Sequence, residues 1–160
     1  MKKNSWKWAA AAAGACLVVA GAVLVPKWAQ GSGAPNPPLV QVGNPLVQVT
    51  SVADMEQMLD FTVPVLDKEV KAYFVIVSGG HGDIGRISYA DGGEFRVRYG
   101  SGDVSGIYGG VQQSADTVNG TAVAYYAYEN TRYALWEKGG FTYSLSGGDA
   151  LEGEVASLLG

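Results

Sequence analysis

Two residue types that carry much of protein site chemistry are almost missing from this chain of 160 residues: it has one cysteine, Cys16, and one histidine, His81. A single cysteine excludes an intrachain disulfide, so the fold depends on its apolar core. One histidine excludes a histidine-rich metal centre, and Cys16 lies too far upstream to assist it. Proline is nearly absent after residue 45: Pro26, Pro35, Pro37, Pro38 and Pro45 come early, and only Pro64 follows. Acidic side chains are missing from the start, since no Asp or Glu precedes Asp54. A Gly-x-Ser-x-Gly elbow and a Gly-Lys-Ser/Thr phosphate loop are also missing, which leaves no support for a serine-triad hydrolase or a P-loop enzyme.

What is present begins with an apolar run. Residues 8–25 hold no charged or strongly polar side chain, and Lys2, Lys3 and Lys7 lie before them. As a helix, 18 such residues span roughly 27 Å, close to the hydrocarbon thickness of a bilayer. The lysines favour the cytoplasmic side, which sends the rest of the chain outside. Trp6, Trp8 and Trp28 bracket the run as interfacial anchors do. Two other identities compete with a retained anchor. Ala20-Gly21-Ala22 resembles a signal-peptidase site, but Val23-Leu24-Val25 continues the apolar run past it. Cys16 suggests a lipoprotein, but Ala13 stands where that signal needs a larger apolar residue. The expectation is a signal anchor over residues 1–28, an extended proline- and glycine-rich linker over 29–45, and an extracytoplasmic domain over 46–160. The setting expected is a bacterial cell membrane, crossed once.

The domain carries seven Lys and Arg against fifteen Asp and Glu, a net charge of −8. That sign, with no basic stripe, argues against nucleic acid and against anionic lipid as partners. Ser51 with Asp54 has capping-box spacing ahead of Val52, Met55 and Leu59, predicting a helix ended by Phe61 and Pro64. Asp149 and Glu152 predict a second cap, before Leu151, Val155, Leu158 and Leu159. Between them, alternation predicts strands over 70–77, 85–90, 94–99, 121–128, 131–137 and 141–146, with a seventh over 111–118. The fold class is α+β: an antiparallel meander of six or seven strands with both helices on one face.

Register follows from keeping apolar side chains together. A three-residue loop at Asp91-Gly92-Gly93 sets Tyr89 against Phe95 and Ile87 against Val97. Lys138-Gly139-Gly140, read the same way, sets Leu135 against Tyr143 and Tyr133 against Leu145. Glu129-Asn130 as a two-residue turn pairs Tyr126 with Tyr133. On this reading the core face holds Ala124, Tyr126, Tyr133, Leu135, Phe141, Tyr143 and Leu145. The opposite face collects Tyr125, Trp136 and Arg132, separated by Ala127 and Ala134. Those three residues are the expected ligand shelf, unless the glycine-rich segment around residues 100–110 covers Trp136.

Other candidates carry less. His81, in Ser78-Gly79-Gly80-His81-Gly82-Asp83, reads as an exposed loop residue. Asp103 with Asp91 or Glu94 offers oxygen ligands for calcium, but their spacing is not that of an EF-hand. No catalytic residue, cofactor or metal is expected.

Thr117-Val118-Asn119-Gly120, Ala134-Leu135-Trp136, Phe141-Thr142-Tyr143-Ser144-Leu145 and the closing Ala156-Ser157-Leu158-Leu159 form a further pattern. It resembles an uncharacterised extracytoplasmic domain of membrane-anchored Gram-positive bacterial proteins, of the kind associated with anti-sigma factors and lipoprotein-carrier-like proteins. The resemblance covers residues 44–160. It implies an antiparallel sheet with helices and an unassigned activity, and it supplies no site residues. The expected role is a non-catalytic, membrane-anchored binding or sensory domain for a protein or hydrophobic ligand. A lipid or lipoprotein carrier is the alternative, and a small extracytoplasmic hydrolase the second.

Protease added to intact, wall-stripped cells is expected to cut within residues 26–45 and release the domain. A domain protected until the cells are lysed would overturn the exported placement.

Overall fold

The computed structural model describes residues 45–160. The anticipated anchor, and the linker up to residue 44, lie outside them. Among the described residues no helix is long and apolar enough to cross a membrane. The elements are β1 (Leu46–Val49), α1 (Val52–Leu59), β2 (Val70–Ser78), β3 (His81–Tyr89), β4 (Glu94–Tyr99), β5 (Val111–Val118), β6 (Thr121–Tyr128), β7 (Thr131–Lys138), β8 (Phe141–Gly147) and α2 (Leu151–Leu159). The α+β class holds. The sheet has eight strands rather than six or seven, because the short edge strand β1 carries too few residues to show a period.

Helix α1 starts as the spacing predicts. The Asp54 amide donates to Ser51 Oγ at 3.1 Å. The Thr50 and Ser51 hydroxyls donate in turn to the Asp54 carboxylate and hold its pKa below the usual carboxylate value. The helix stops at Asp60, left-handed at φ 61°, just ahead of the anticipated Phe61. Helix α2 departs from expectation: its N-cap is Ala150, with no side-chain hydrogen bond, and Asp149 lies one position too early to cap it. Glu152 and Glu154 in its first turn still favour the positive end of the helix dipole.

All strand neighbours are antiparallel, in the order β1-β2-β3-β4-β8-β7-β6-β5. This is two four-stranded meanders joined through β4 and β8, not one continuous meander. Consecutive β4 and β5 are therefore separated by three strands, a gap of about 19 Å at the usual strand spacing. Residues 100–110 must cross the sheet to bridge it. The helices occupy one face, and the crossing segment takes the other.

Two of the three registers differ from expectation. In β3–β4, Ile87 pairs with Phe95 and Gly85 with Val97, a slip of two residues. The loop has the expected three residues but begins one earlier, at Ala90-Asp91-Gly92: Tyr89 N donates to Gly93 O, Gly92 N to Tyr89 O, and Gly92 is left-handed at φ 89°. A slip of two leaves every side chain on its face. In β7–β8 the slip is one, and it matters. Gly139 and Gly140, at φ 63° and 85°, make a two-residue turn, so Lys138 pairs with Phe141, Trp136 with Tyr143 and Leu135 with Ser144. The Glu129-Asn130 turn pairs Tyr126 with Tyr133 as expected.

The shift exchanges the two faces of β6 and β7. Val123, Tyr125, Ala134 and Trp136 join Phe95, Val97 and Leu145 in one core with Met55, Leu59, Leu151 and Val155. Trp136 stacks on Tyr143 at 5.4 Å and 10°. Tyr126, Tyr133 and Leu135 move to the face away from the helices. Opposite Met55 and Leu59 the sheet carries Gly85, where an added Cβ would lie 2.8 Å from Leu59 Cδ1, so α1 sits close on the strand. Between the helices, Val63 and Leu66 are buried, and Phe61 packs on Phe141 at 4.9 Å. Lys68 closes this layer, meeting Asp91 at 2.5 Å and Glu154 at 2.6 Å. Burial opposes its charge, but the bonds to the two carboxylates outweigh that and raise its pKa. Lys68, with the Gly93 amide, holds Asp91 below its ordinary value.

Trp136→Ala is expected to cost about 3–5 kcal/mol through lost transfer energy and the cavity left behind. Leu135→Ala, half-buried on the opposite face, should cost less than about 2 kcal/mol. Urea unfolding of both variants measures the difference; a larger loss at Leu135 would mean the register is wrong.

Candidate binding groove

The shelf expected from Trp136, Tyr125 and Arg132 is not formed. Trp136 and Tyr125 are only 4% and 6% exposed, packed on the helix side of the sheet. Arg132 is exposed but ion-paired with Glu152, tying β7 to α2. The physical reason is the one-residue slip at Gly139-Gly140. The surface away from the helices does hold an aromatic feature, built from the residues of opposite parity.

There the crossing segment leaves a groove of about 630 Å³ over β6 and β7. Tyr126, Tyr133 and Leu135 form its wall, Ala115, Ala122 and Ala124 its shallow floor, and Asp103, Ile107, Gly109 and Gly110 its roof. Glu137 and Thr142 line it as well. Tyr126 and Tyr133 are direct cross-strand partners with rings stacked at 5.1 Å and 14°. Three alanines on adjacent strands leave the space that larger side chains would fill.

The roof is held by specific bonds. Thr142 Oγ1 donates to Gly100 O at 2.6 Å, and Gly100 N to Gly140 O at 2.8 Å. Arg96 Nη1 reaches Val104 O at 3.4 Å. Asp103 Oδ1 accepts from Ser105 N at 2.7 Å, and Ser105 Oγ from Ile107 N at 3.1 Å. Val104 and Ser105 are buried against the sheet. Gly110 touches the wall so closely that a Cβ there would overlap the Tyr133 hydroxyl. Burial, and after it the charge of Asp103, pushes the Tyr133 phenol above its usual pKa. Asp103 and Glu137 are the charged side chains that line the groove.

Beside it, on the same face, the sheet is cationic but internally paired. Arg86 grips Glu94 Oε2 through Nε at 2.6 Å and Nη2 at 2.5 Å, and Arg96 Nε meets Oε1 at 2.5 Å. Arg98 lies 3.3 Å from Asp83, and the Arg86 guanidinium sits 5.3 Å over the Phe74 ring. Glu94 is thus committed to two arginines, Asp91 to Lys68, and Asp103 to its own turn. The three acids weighed as oxygen ligands are each engaged in these contacts. His81 is exposed as expected, but it opens β3 after a Gly79-Gly80 turn instead of lying in the loop itself.

The groove was missed because its wall was assigned to the core. Its available signal was the pair Gly139-Gly140 itself, a dipeptide suited to a two-residue hairpin.

Gly110→Ala is expected to displace the roof or Tyr133 and to destabilise by about 1–3 kcal/mol, as overpacking does. Gly148→Ala, with open space around it, should stay within about 0.5 kcal/mol of the parent. Denaturant midpoints decide it; equal midpoints for the two variants would mean the roof is not seated on Tyr133. Comparison of the chain with protein-family models, with curated proteins and with solved structures finds no match.

Proposed function

We propose that this chain is a membrane-anchored binding or sensory domain of the bacterial cell exterior, and that the groove over β6 and β7 is its binding surface. The observation that carries the reading is the groove's construction. A wall of stacked tyrosines and Leu135 faces a floor of three alanines, beneath a roof seated by its own hydrogen bonds. Binding sites combine a largely apolar concavity with a few placed polar groups, and Asp103, Glu137 and Thr142 supply them here. The apolar run behind Lys2, Lys3 and Lys7 supports the anchored, exported part of the proposal. The resemblance to extracytoplasmic domains of membrane-anchored Gram-positive proteins supports the same setting. A lipid carrier would need room between sheet and helices. That layer is filled by Met55, Phe95, Trp136 and Val155, none more than 4% exposed, which favours binding on the outer face instead.

The test is photo-crosslinking in intact cells. With benzoylphenylalanine replacing Ala122, exposed in the groove, a discrete crosslinked species is expected on irradiation. The same amino acid at Lys71, exposed at the far side of the sheet, should give none. No discrete product at position 122, or the same product at both sites, would overturn the groove as the binding surface.

A further inference from the structure

We propose that the groove's occupant is an extended peptide segment carrying a lysine or arginine, which adds as a ninth strand to the free edge of β5. The inference rests on the binding reading above and names its partner class. Strand β5 ends the sheet order, and its residues are exposed from Val111 to Thr117. Edge strands are commonly guarded by lysine, proline or a bulge. Here a bulge occurs between Gln112 and Ser114, but the stretch beyond it contains neither lysine nor proline. The Thr117 amide is satisfied only locally, by the Asp116 carboxylate at 2.7 Å, a bond that an incoming backbone carbonyl can replace. At the start of the strand, Tyr108 and Val111 are 89% and 64% exposed and Tyr128 is 40%, an apolar corner with nothing packed over it among the described residues.

The groove opens onto this edge. Ala115 lies on β5 itself and pairs with Ala124, which pairs with Leu135, so along that row no side chain longer than a methyl stands between the edge and Leu135, with Tyr126 beside it. From an added strand, β6 is two spacings away, about 10 Å, a gap that a long side chain and the tyrosine ring close together. Charge selects which long side chain. The groove is lined by Asp103 and Glu137 and by no Lys or Arg, and no ion pair engages Glu137 among the described residues. The domain's cations are held elsewhere in ion pairs or at helix ends, apart from Lys71 on β2. An incoming ammonium or guanidinium enters the field of two carboxylates, Asp103 on the roof and Glu137 on β7, and passes the tyrosine rings, all of which attract it. Main-chain pairing along β5 supplies sequence-independent affinity, and the groove reads one side chain.

The probes are fluorescein-labelled peptides of alternating threonine and valine with a central lysine, the same peptide with a central glutamate, and the lysine peptide N-methylated at alternate residues. Binding to the full chain in nanodiscs is read by anisotropy. The lysine peptide should bind roughly tenfold or more tightly than the glutamate peptide, with an affinity that falls as salt rises. N-methylation should abolish binding, because it removes the amides that pair with β5 without touching the protein. Glu137→Gln should narrow the lysine preference at an unchanged Tm. Equal binding of the lysine and glutamate peptides, undiminished binding after N-methylation, or no peptide binding would each overturn the proposal. Persistence of the crosslink from position 122 in those cases would leave the groove standing with a different occupant, whereas loss of both would remove the underlying reading.

Discussion

The pairing of β4 with β8 is the constraint on which the rest of the molecule depends. It runs from Glu94–Ser146 to Tyr99–Phe141 and joins two meanders that are each local in sequence. Because β8 takes the place beside β4, β5 is sent to the far edge, and the chain between them has to traverse three strands. Glycines with positive φ at 100, 102, 106 and 109 let that short connection bend as it goes. The same pairing brings Phe95 against Leu145 and Val97 against Tyr143, which makes one core of what would be two half-sheets. The roof, the groove and the free edge are all consequences of that single long-range ladder.

A second decision is made within one hairpin. Two glycines at 139 and 140 turn the chain in two residues, and the parity of β8 against β7 follows. Tyr-Ala-Leu-Trp at 133–136 is apolar at every position, so alternation within β7 cannot say which face is inside. Strand β8 is unambiguous, with Phe141, Tyr143 and Leu145 on one side and Thr142, Ser144 and Ser146 on the other. Only the turn couples the two, and its length determines whether Trp136 or Leu135 lies inside. Trp136 fills the space between Tyr143 and α2, while Tyr133 accepts the glycine-rich roof. Both large side chains are used, on opposite faces.

The charges follow a matching division. On the helix side Lys68 holds two carboxylates and fixes the segment between the helices to the β3–β4 turn and to α2. On the outer face three arginines are matched to Glu94 and Asp83 beside the roof, and Arg96 lends a donor to it. Such half-exposed pairs add modest stability, but they commit the cations to fixed places. The groove, next to this paired region, retains carboxylates alone.

Much of this was legible from residues alone. The α+β class, the capped start of α1, seven of eight strands, the Glu129-Asn130 turn and the Tyr126–Tyr133 pair all follow from local patterns: periodicity, capping and turn chemistry act over a few residues. The functional surface did not. Reading Trp136, Tyr125 and Arg132 as a shelf and Tyr126, Tyr133 and Leu135 as core required a register, and matching apolar side chains chose the wrong one. Tertiary structure decided the strand order, the face on which each aromatic lies, and the path of residues 100–110, because each depends on contacts between segments distant in sequence. Local chemistry determined which elements form; the β4–β8 ladder and the packing of two helices against one face determined what was left outside to bind.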